Sequence, residues 1–167
     1  IKEICNIEDS RSIDNFNEPM IIMAFLPQNN IYEISLCTKK LLEKKHKLFH
    51  PKTGEYIIVN INSKEDSKSK DRIEKARINA KILGMKGVLV LSGKQCHLGV
   101  SIKNCDIVLL LNNNLAFDMI YQMMFRCMTE EDGKKFGFVV DLNIHRTVKI
   151  LMDYINTIRP NEKPKES

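Results

Sequence analysis

Gln122 and Arg126 are the residues of this sequence whose types and spacing most clearly suggest chemistry. They lie four positions apart within residues 116–128, a stretch whose apolar residues recur at helical spacing. Side chains four apart project from the same face of a helix. The core-facing stripe is then expected to hold Phe117, Ile120, Tyr121, Met124, Cys127 and Met128. A guanidinium on the other face is suited to neutralising charge that develops on a phosphate during phosphoryl transfer. The alternative is an exposed arginine that only supports its helix.

Common motifs for nucleotide binding, metal binding and nucleophilic catalysis are missing from these residues. The sequence contains no G-x-x-x-x-G-K-[ST] loop, no G-x-G-x-x-G, no H-E-x-x-H and no G-x-S-x-G. Its 4 histidines are scattered, and its 5 cysteines include no C-x-x-C pair. We therefore expect no metal site and mostly buried, reduced thiols, which indicate a reducing compartment.

Length and composition are those of one globular domain. Hydrophobic residues make up 43% and charged residues 28% of the 167 residues. No run approaches the roughly 20 apolar residues that a membrane span needs. Membrane, disulfide-rich secreted and wholly disordered classes are therefore excluded. The formal net charge of +5 suits a polyanionic partner, but it also serves solubility.

Short apolar runs alternate with helical patterns along residues 19–158. The predicted strands cover residues 20–26, 56–61, 88–91, 107–111 and 136–142. The predicted helices cover residues 31–45, 71–83, 116–128 and 144–158. This alternation predicts an α/β fold with a mostly parallel sheet, helices on both faces and ligands at the carboxyl ends of the strands. Residues 1–18 are interpreted as a linker and residues 159–167 as a disordered tail.

Residues 91–126 resemble motifs V and VI of superfamily 2 helicases and translocases, especially those of the Swi/Snf-like branch. The segments that align with motif V are Leu91-Ser92-Gly93, Leu98-Gly99-Val100-Ser101-Ile102 and Asp106-Ile107-Val108, and Gln122 and Arg126 align with motif VI. The resemblance implies a RecA-like fold and, within it, the helicase C-terminal lobe. ATP and Mg²⁺ would then be held mainly by a first RecA-like lobe. Large DNA viruses encode divergent members, and the abundance of Asn, Ile and Lys agrees with such a source.

The resemblance also implies roles for individual residues. Arg126 is expected to be an arginine finger for the γ-phosphate, and Gln122 is expected to orient nucleotide or water. Gly99 and Ser101 are expected to couple the ATP cleft to the nucleic acid. Contacts with the nucleic-acid backbone are expected from Ser92, Gly93, Lys94, Asn29 and Asn30. Ordinary turns are the alternative for the segments around Ser92 and Asn29.

The chain is therefore expected to be the second lobe of an ATP-dependent helicase or translocase, inactive without the P-loop lobe. Its expected partners are a DNA or RNA backbone and the N-terminal lobe of the same protein, with no membrane. The expected location is the cytoplasm, the nucleus, a virion or a viral factory. The sequence does not determine whether the nucleic acid is DNA or RNA, in which direction the protein would translocate, or whether it would separate strands.

Two departures from the family pattern keep alternatives open. Gly93 lacks the hydroxyl of the pattern, and Thr129 stands where many relatives carry a second arginine. Both favour a non-catalytic, helicase-like scaffold that docks transcription or packaging proteins. A small-molecule enzyme on an unrelated doubly wound fold is the other alternative.

Overall fold

The structure is a computed structural model that describes residues 19–61, 69–93, 105–129, 134 and 136–158. Its strands are β1 (Met20–Phe25), β2 (Tyr56–Ile61), β3 (Gly87–Ser92), β4 (Cys105–Leu110) and β5 (Phe138–Asp141). Its helices are α1 (Ile31–Lys45), α2 (Ser69–Ile82), α3 (Phe117–Met124) and α4 (Ile144–Ile158). Two 3₁₀ turns cover Lys47–Phe49 and Phe125–Met128. No helix in the described ranges has the length and apolar character needed to cross a membrane.

The five strands form one parallel sheet in the order β2-β3-β1-β4-β5. Its central strands are buried on both faces because they are apolar at nearly every position. One face packs against α2 and α3 through residues such as Ile73 and Ile120. The opposite face packs against α1 through Ile34 and Leu42. The predicted α/β class, with a parallel sheet and helices on both faces, is confirmed.

The predicted helix over residues 116–128 differs from the observed one at its end. The α-helix stops at Met124, and the next four residues form a 3₁₀ turn. A 3₁₀ turn advances about 120° per residue, against about 100° in an α-helix, so the apolar stripe rotates. Met128, expected to face the core, is 49% exposed as a result, whereas Cys127 is fully buried. Met123 is buried in the core, and Met124 only packs against its margin.

The strand order places a topological switch point at the centre of the sheet. From β1 the chain passes through α1 to β2 on one side. From β4, the neighbour of β1, it passes through α3 to β5 on the other side. Chain segments therefore diverge beyond the carboxyl ends of β1 and β4, where open parallel sheets form a ligand-binding crevice.

Candidate functional sites at the two edges of the sheet

Gln122 and Arg126 line one hollow, as their spacing predicts. This amino-edge hollow has a volume of about 450 Å³ and is formed by Tyr121, Gln122, Phe125, Arg126, Met128 and Thr129. Gln122 is exposed and Arg126 is half-buried, although α3 ends between them. Arg126 therefore lies at a surface hollow and is not enclosed in the core.

A ladder of aromatic rings stiffens the wall of the amino-edge hollow. The rings of Phe117 and Tyr121 stack with their centroids 5.3 Å apart. Tyr121 and Phe125 make an edge-on contact with centroids 4.5 Å apart. Offset and edge-on aromatic pairs of this kind add about 0.5–1.5 kcal/mol beyond the area that they bury. The backbone that carries Gln122 and Arg126 is therefore held by packing on both sides of the helix end.

The amino-edge hollow lies beside the amino end of β4. The Nζ atom of Lys134 donates to the carbonyl oxygens of Cys105, at 2.7 Å, and Thr129, at 3.1 Å. It thereby ties the end of the 3₁₀ turn to the first residue of β4. Burial raises the pKa of the Cys105 thiol and the nearby Cys127 raises it further, whereas the charges of Lys134 and Arg126 oppose this rise. Two cations therefore act on this edge of the sheet.

Arg126 thus lies at the edge of the sheet opposite the strand-end loops in which ligands were expected. The reason is that α3 begins beyond the carboxyl end of β4 and runs back along the sheet. Lys94, Gly99 and Ser101 lie outside the described residues. They belong to residues 94–104, which connect the carboxyl end of β3 to the amino end of β4.

Ser92 and Gly93 end β3 at the carboxyl edge, but both are buried. The Ser92 hydroxyl donates to the carbonyl oxygen of Gly93 at 3.2 Å, and the Ser92 carbonyl accepts from the N–H of Leu26 at 2.8 Å. A Cβ atom at Gly93 would lie 2.7 Å from Cγ1 of Ile31. The first residue of α1 covers the turn at Gly93, and a phosphate contact from Ser92 or Gly93 stays a prediction.

Asn29 and Asn30 are exposed in the neighbouring loop, where the sequence places them. Asn30 is the N-cap residue of α1 and has a φ of 53°, a left-handed conformation that asparagine tolerates. Its carbonyl oxygen accepts from the N–H of Ile34 at 2.9 Å. The amino terminus of the 15-residue α1 therefore points towards the carboxyl edge of the sheet, a favourable setting for an anion.

A second hollow, of about 430 Å³, lies at the switch point between β1 and β4. This switch-point hollow is lined by residues 27–29 after β1, residues 112–114 after β4, and Met119 of α3. The N–H of Leu111 donates to the carbonyl of Phe25 at 2.9 Å and continues the pairing of the two strands to its floor. The sequence predicts ligand contacts at the carboxyl ends of both strands and names Asn29 after β1, but it names no residue among 112–114.

Arg146, near the start of α4, is the most heavily bonded side chain beside this hollow. It is only 1% exposed, and its Nε and Nη2 atoms donate to both carboxylate oxygens of Asp141 at 2.7 Å. Its Nη1 atom donates to the carbonyl oxygens of Asn112, at 2.6 Å, and Asn114, at 3.1 Å. Nη2 also reaches the carbonyl oxygen of Leu110 at 3.1 Å. One guanidinium therefore joins the ends of β4 and β5 to the loop that forms the hollow.

The apolar pattern from which α4 was predicted gives no sign of the Arg146 network. The available signal was an aspartate at the end of a strand, five residues before an arginine on the next helix. Asn143 supports the pair, since its Oδ1 accepts from the N–H of Arg146 at 3.2 Å. Burial raises the pKa of Asp141, but the hydrogen bonds and charge of Arg146, together with the hydrogen bonds from Asn143 and Thr147, outweigh it, so that pKa lies below its ordinary value.

The two hollows offer different chemistry to a ligand. The amino-edge hollow carries a guanidinium and an exposed amide, which suit phosphate oxygens. The switch-point hollow is lined by uncharged amides. Within the described part of the chain, no three His, Cys, Asp or Glu residues are grouped so that they could hold a metal ion.

The chain is similar in fold to the second domain of a DEAD-box helicase and to the C-terminal part of an ATPase domain. It matches "Mss116p DEAD-box helicase domain 2 bound to an RNA duplex" with a TM-score of 0.52 and 16% identity, over 84% of this chain and 46% of that one. It matches the C-terminal part of the Fun30 ATPase domain with a TM-score of 0.50 and 10% identity, over 90% of this chain and 43% of that one. The chain therefore spans less than half the length of either structure. No family model matches it, and no curated protein matches it significantly. The fold is RecA-like, as the sequence predicts.

Proposed function

We propose that this chain is the second RecA-like lobe of an ATP-dependent nucleic-acid helicase or translocase. The observation that carries the proposal is that Gln122 and Arg126 share an open hollow at one edge of a lobe with this fold. The nucleotide and its Mg²⁺ ion are held mainly by a first, P-loop lobe. The lobe formed by this chain completes the nucleotide site when the two lobes close on each other.

Arg126 acts in this proposal on the charge that develops during phosphoryl transfer. A guanidinium that reaches the γ-phosphate only in the closed state contributes about 10³ to 10⁵ in rate. Lys134, whose charge also acts on Cys105, adds a second cation at the same edge. Gln122 is exposed on the same hollow and orients the nucleotide or the attacking water. Gly99 and Ser101 couple this cleft to the nucleic acid.

The nucleic-acid backbone contacts the opposite, carboxyl edge of the sheet in this proposal. Asn29 and Asn30 are exposed there beside the amino terminus of α1, and Lys94 follows β3 in the sequence. The net charge of +5 supports binding to a polyanion. The rigid sheet lies between the two edges, so opening and closing of the ATP cleft moves the strand-binding edge with it. We propose a large DNA virus as the source and a reducing compartment as the location.

A non-catalytic scaffold is the second candidate, and Thr129 is the observation that favours it. Thr129 lines the amino-edge hollow at the position where the resemblance places a second arginine. A lobe with one arginine there could keep the fold and the lobe contact without fast hydrolysis. It would then dock transcription or packaging proteins.

The two candidates are separated by measuring ATP hydrolysis by the protein that the longest reading frame containing this chain encodes. We expect nucleic-acid-stimulated hydrolysis that falls at least about 10³-fold in Arg126→Ala. Lys40→Ala is the matched control, because Lys40 is an exposed cation on α1, across the sheet from Arg126. Equal rates for the wild type and Arg126→Ala would remove the arginine-finger assignment. No stimulated hydrolysis in the wild type would favour the scaffold.

A further inference from the structure

The switch-point hollow has the position of a ligand site but not the lining of a phosphate site. It opens beyond the carboxyl ends of β1 and β4, where the chain diverges to the two sides of the sheet. None of its seven lining residues carries an ionisable side chain. Among the described residues, the cation that bonds to the wall of the hollow is Arg146, and its donors are occupied by Asp141 and main-chain carbonyls. The side chains of this hollow therefore offer hydrogen bonds but no charge to a ligand.

Primary amides of three side chains are presented at this hollow. Gln28, Asn29 and Asn113 line it and are exposed. Each amide offers two donors and an acceptor in one plane. That pattern matches the paired donors and acceptors on the edge of a nucleobase, and Asn and Gln form bidentate pairs with adenine in this way. Unstacked bases of single strands expose such edges.

The loop that carries Asn113 has no regular secondary structure, yet it is fixed at both of its flanking residues. Arg146 donates to the carbonyl oxygens of Asn112 and Asn114 and, at 3.0 Å, to the side-chain Oδ1 of Asn112. The same Oδ1 accepts from the N–H of Asn114 at 3.1 Å. Asn114 in turn accepts from the N–H of Ala116 at 2.9 Å, at the start of α3. The buried guanidinium therefore determines the shape of one wall of the hollow.

We propose that the switch-point hollow binds a nucleobase of single-stranded nucleic acid through Gln28, Asn29 and Asn113, with Arg146 as the positioning residue. This inference rests on the proposed function, because it assumes that a strand binds at the carboxyl edge. It adds a base contact to a surface otherwise expected to contact the backbone. The base contact contributes affinity that does not depend on salt, whereas phosphate contacts lose affinity as salt rises.

Fluorescence anisotropy with the 167-residue chain tests the base contact. The probes are labelled single-stranded DNA and RNA of about 12 nucleotides, and a strand of the same length with abasic sites at its centre. We expect the wild type to prefer the base-containing strand about tenfold. Asn113→Ala should remove that preference and leave the slope of log affinity against log salt unchanged. Asn79→Ala, an exposed asparagine on α2, is the matched control and should change neither quantity.

The outcomes separate this inference from the proposed function. If neither strand binds at any salt concentration, both the proposed strand-binding role and the proposed base contact in the hollow are wrong. If both strands bind equally well, or if Asn113→Ala changes the salt slope and not the preference, only the proposed base contact in the hollow is wrong. If free nucleoside monophosphate at saturating concentration removes the preference, the base contact is supported, because the free base competes with the bases of the strand for the hollow. If the monophosphate leaves the preference intact while Asn113→Ala removes it, the contact requires a strand.

The role of Arg146 has its own test. Arg146→Lys keeps the charge but cannot make the paired bonds to Asp141 and the loop carbonyls. We expect it to lose the base preference, and the double variant Arg146→Lys with Asn113→Ala to lose no more than either alone. Additive losses, or an unchanged preference in folded Arg146→Lys, would show that Arg146 is only structural. Should this variant fail to fold, Asn112→Ala, which removes one acceptor of Arg146, is expected to reduce the preference, and an unchanged preference contradicts the positioning role.

Discussion

Replacing Arg146 by methionine should destabilise the lobe far more than the loss of an exposed charge does. The substitution removes the guanidinium and retains much of the aliphatic stem. It leaves the carboxylate of Asp141, whose side chain is 10% exposed, without its cation. It also removes the donors to the carbonyl oxygens of Leu110, Asn112 and Asn114. These groups lie at the ends of two strands, where water reaches them poorly.

The expected loss follows from the cost of separating a buried ion pair. Removing one partner of such a pair costs about 3–5 kcal/mol, because the remaining charge stays buried. For a domain of this size, each kcal/mol lowers the melting temperature by about 2–4 °C. Arg146→Met should therefore lower the melting temperature by roughly 6–20 °C. Adding Asp141→Leu should restore part of the loss, since it removes the orphaned carboxylate.

Urea unfolding followed by circular dichroism measures the free energy of unfolding of these variants. Arg72→Met is the matched control, because Arg72 is exposed on α2, and its effect should stay within about 0.5 kcal/mol. A loss below about 1 kcal/mol in Arg146→Met would refute the reasoning, since exposed ion pairs contribute that little. A double variant less stable than Arg146→Met would also contradict it.

Two further predictions concern acid stability and close packing. Because the pKa of Asp141 lies below its ordinary value of 3.8, its pairing with Arg146 stabilises the fold fully above that pH. This contribution declines as pH falls through the lower folded pKa, so Asp141→Asn should flatten the acid limb of a stability-against-pH curve. Gly137→Ala would place a Cβ atom 1.9 Å from the carbonyl oxygen of Cys127. It should cost more than about 2 kcal/mol in urea unfolding. Gly93→Ala meets the side chain of Ile31 and no backbone atom, and it should cost less.

The fold could be predicted from the sequence because its signals are local. The apolar runs at β1, β3 and β4 and the helical spacing in α2 follow directly from residue order. The strand order could not be predicted in this way, because β1 pairs with β3 and β4 across long stretches of chain. The end of α3 was also missed, since a 3₁₀ turn and an α-helix share the same apolar composition.

The candidate sites were predicted only in part for the same reason. The shared hollow of Gln122 and Arg126 follows from helical spacing alone. The close packing at Gly93 depends on α1 and the network of Arg146 depends on β4, and both contacts are distant in sequence. A residue type therefore indicated the chemistry, while tertiary packing decided whether that chemistry was presented to a ligand.

Binding of a transition-state analogue tests the central claim most directly, namely that Arg126 faces a phosphate carried by another lobe. The measurement compares the affinities of ADP and of ADP with aluminium fluoride for the protein encoded by the longest reading frame and for its Arg126→Ala variant. If the arginine acts only in the transition state, its removal leaves the affinity for ADP nearly unchanged and weakens binding of the analogue by at least about 10³-fold. Equal weakening of both ligands, or of neither, would contradict the account.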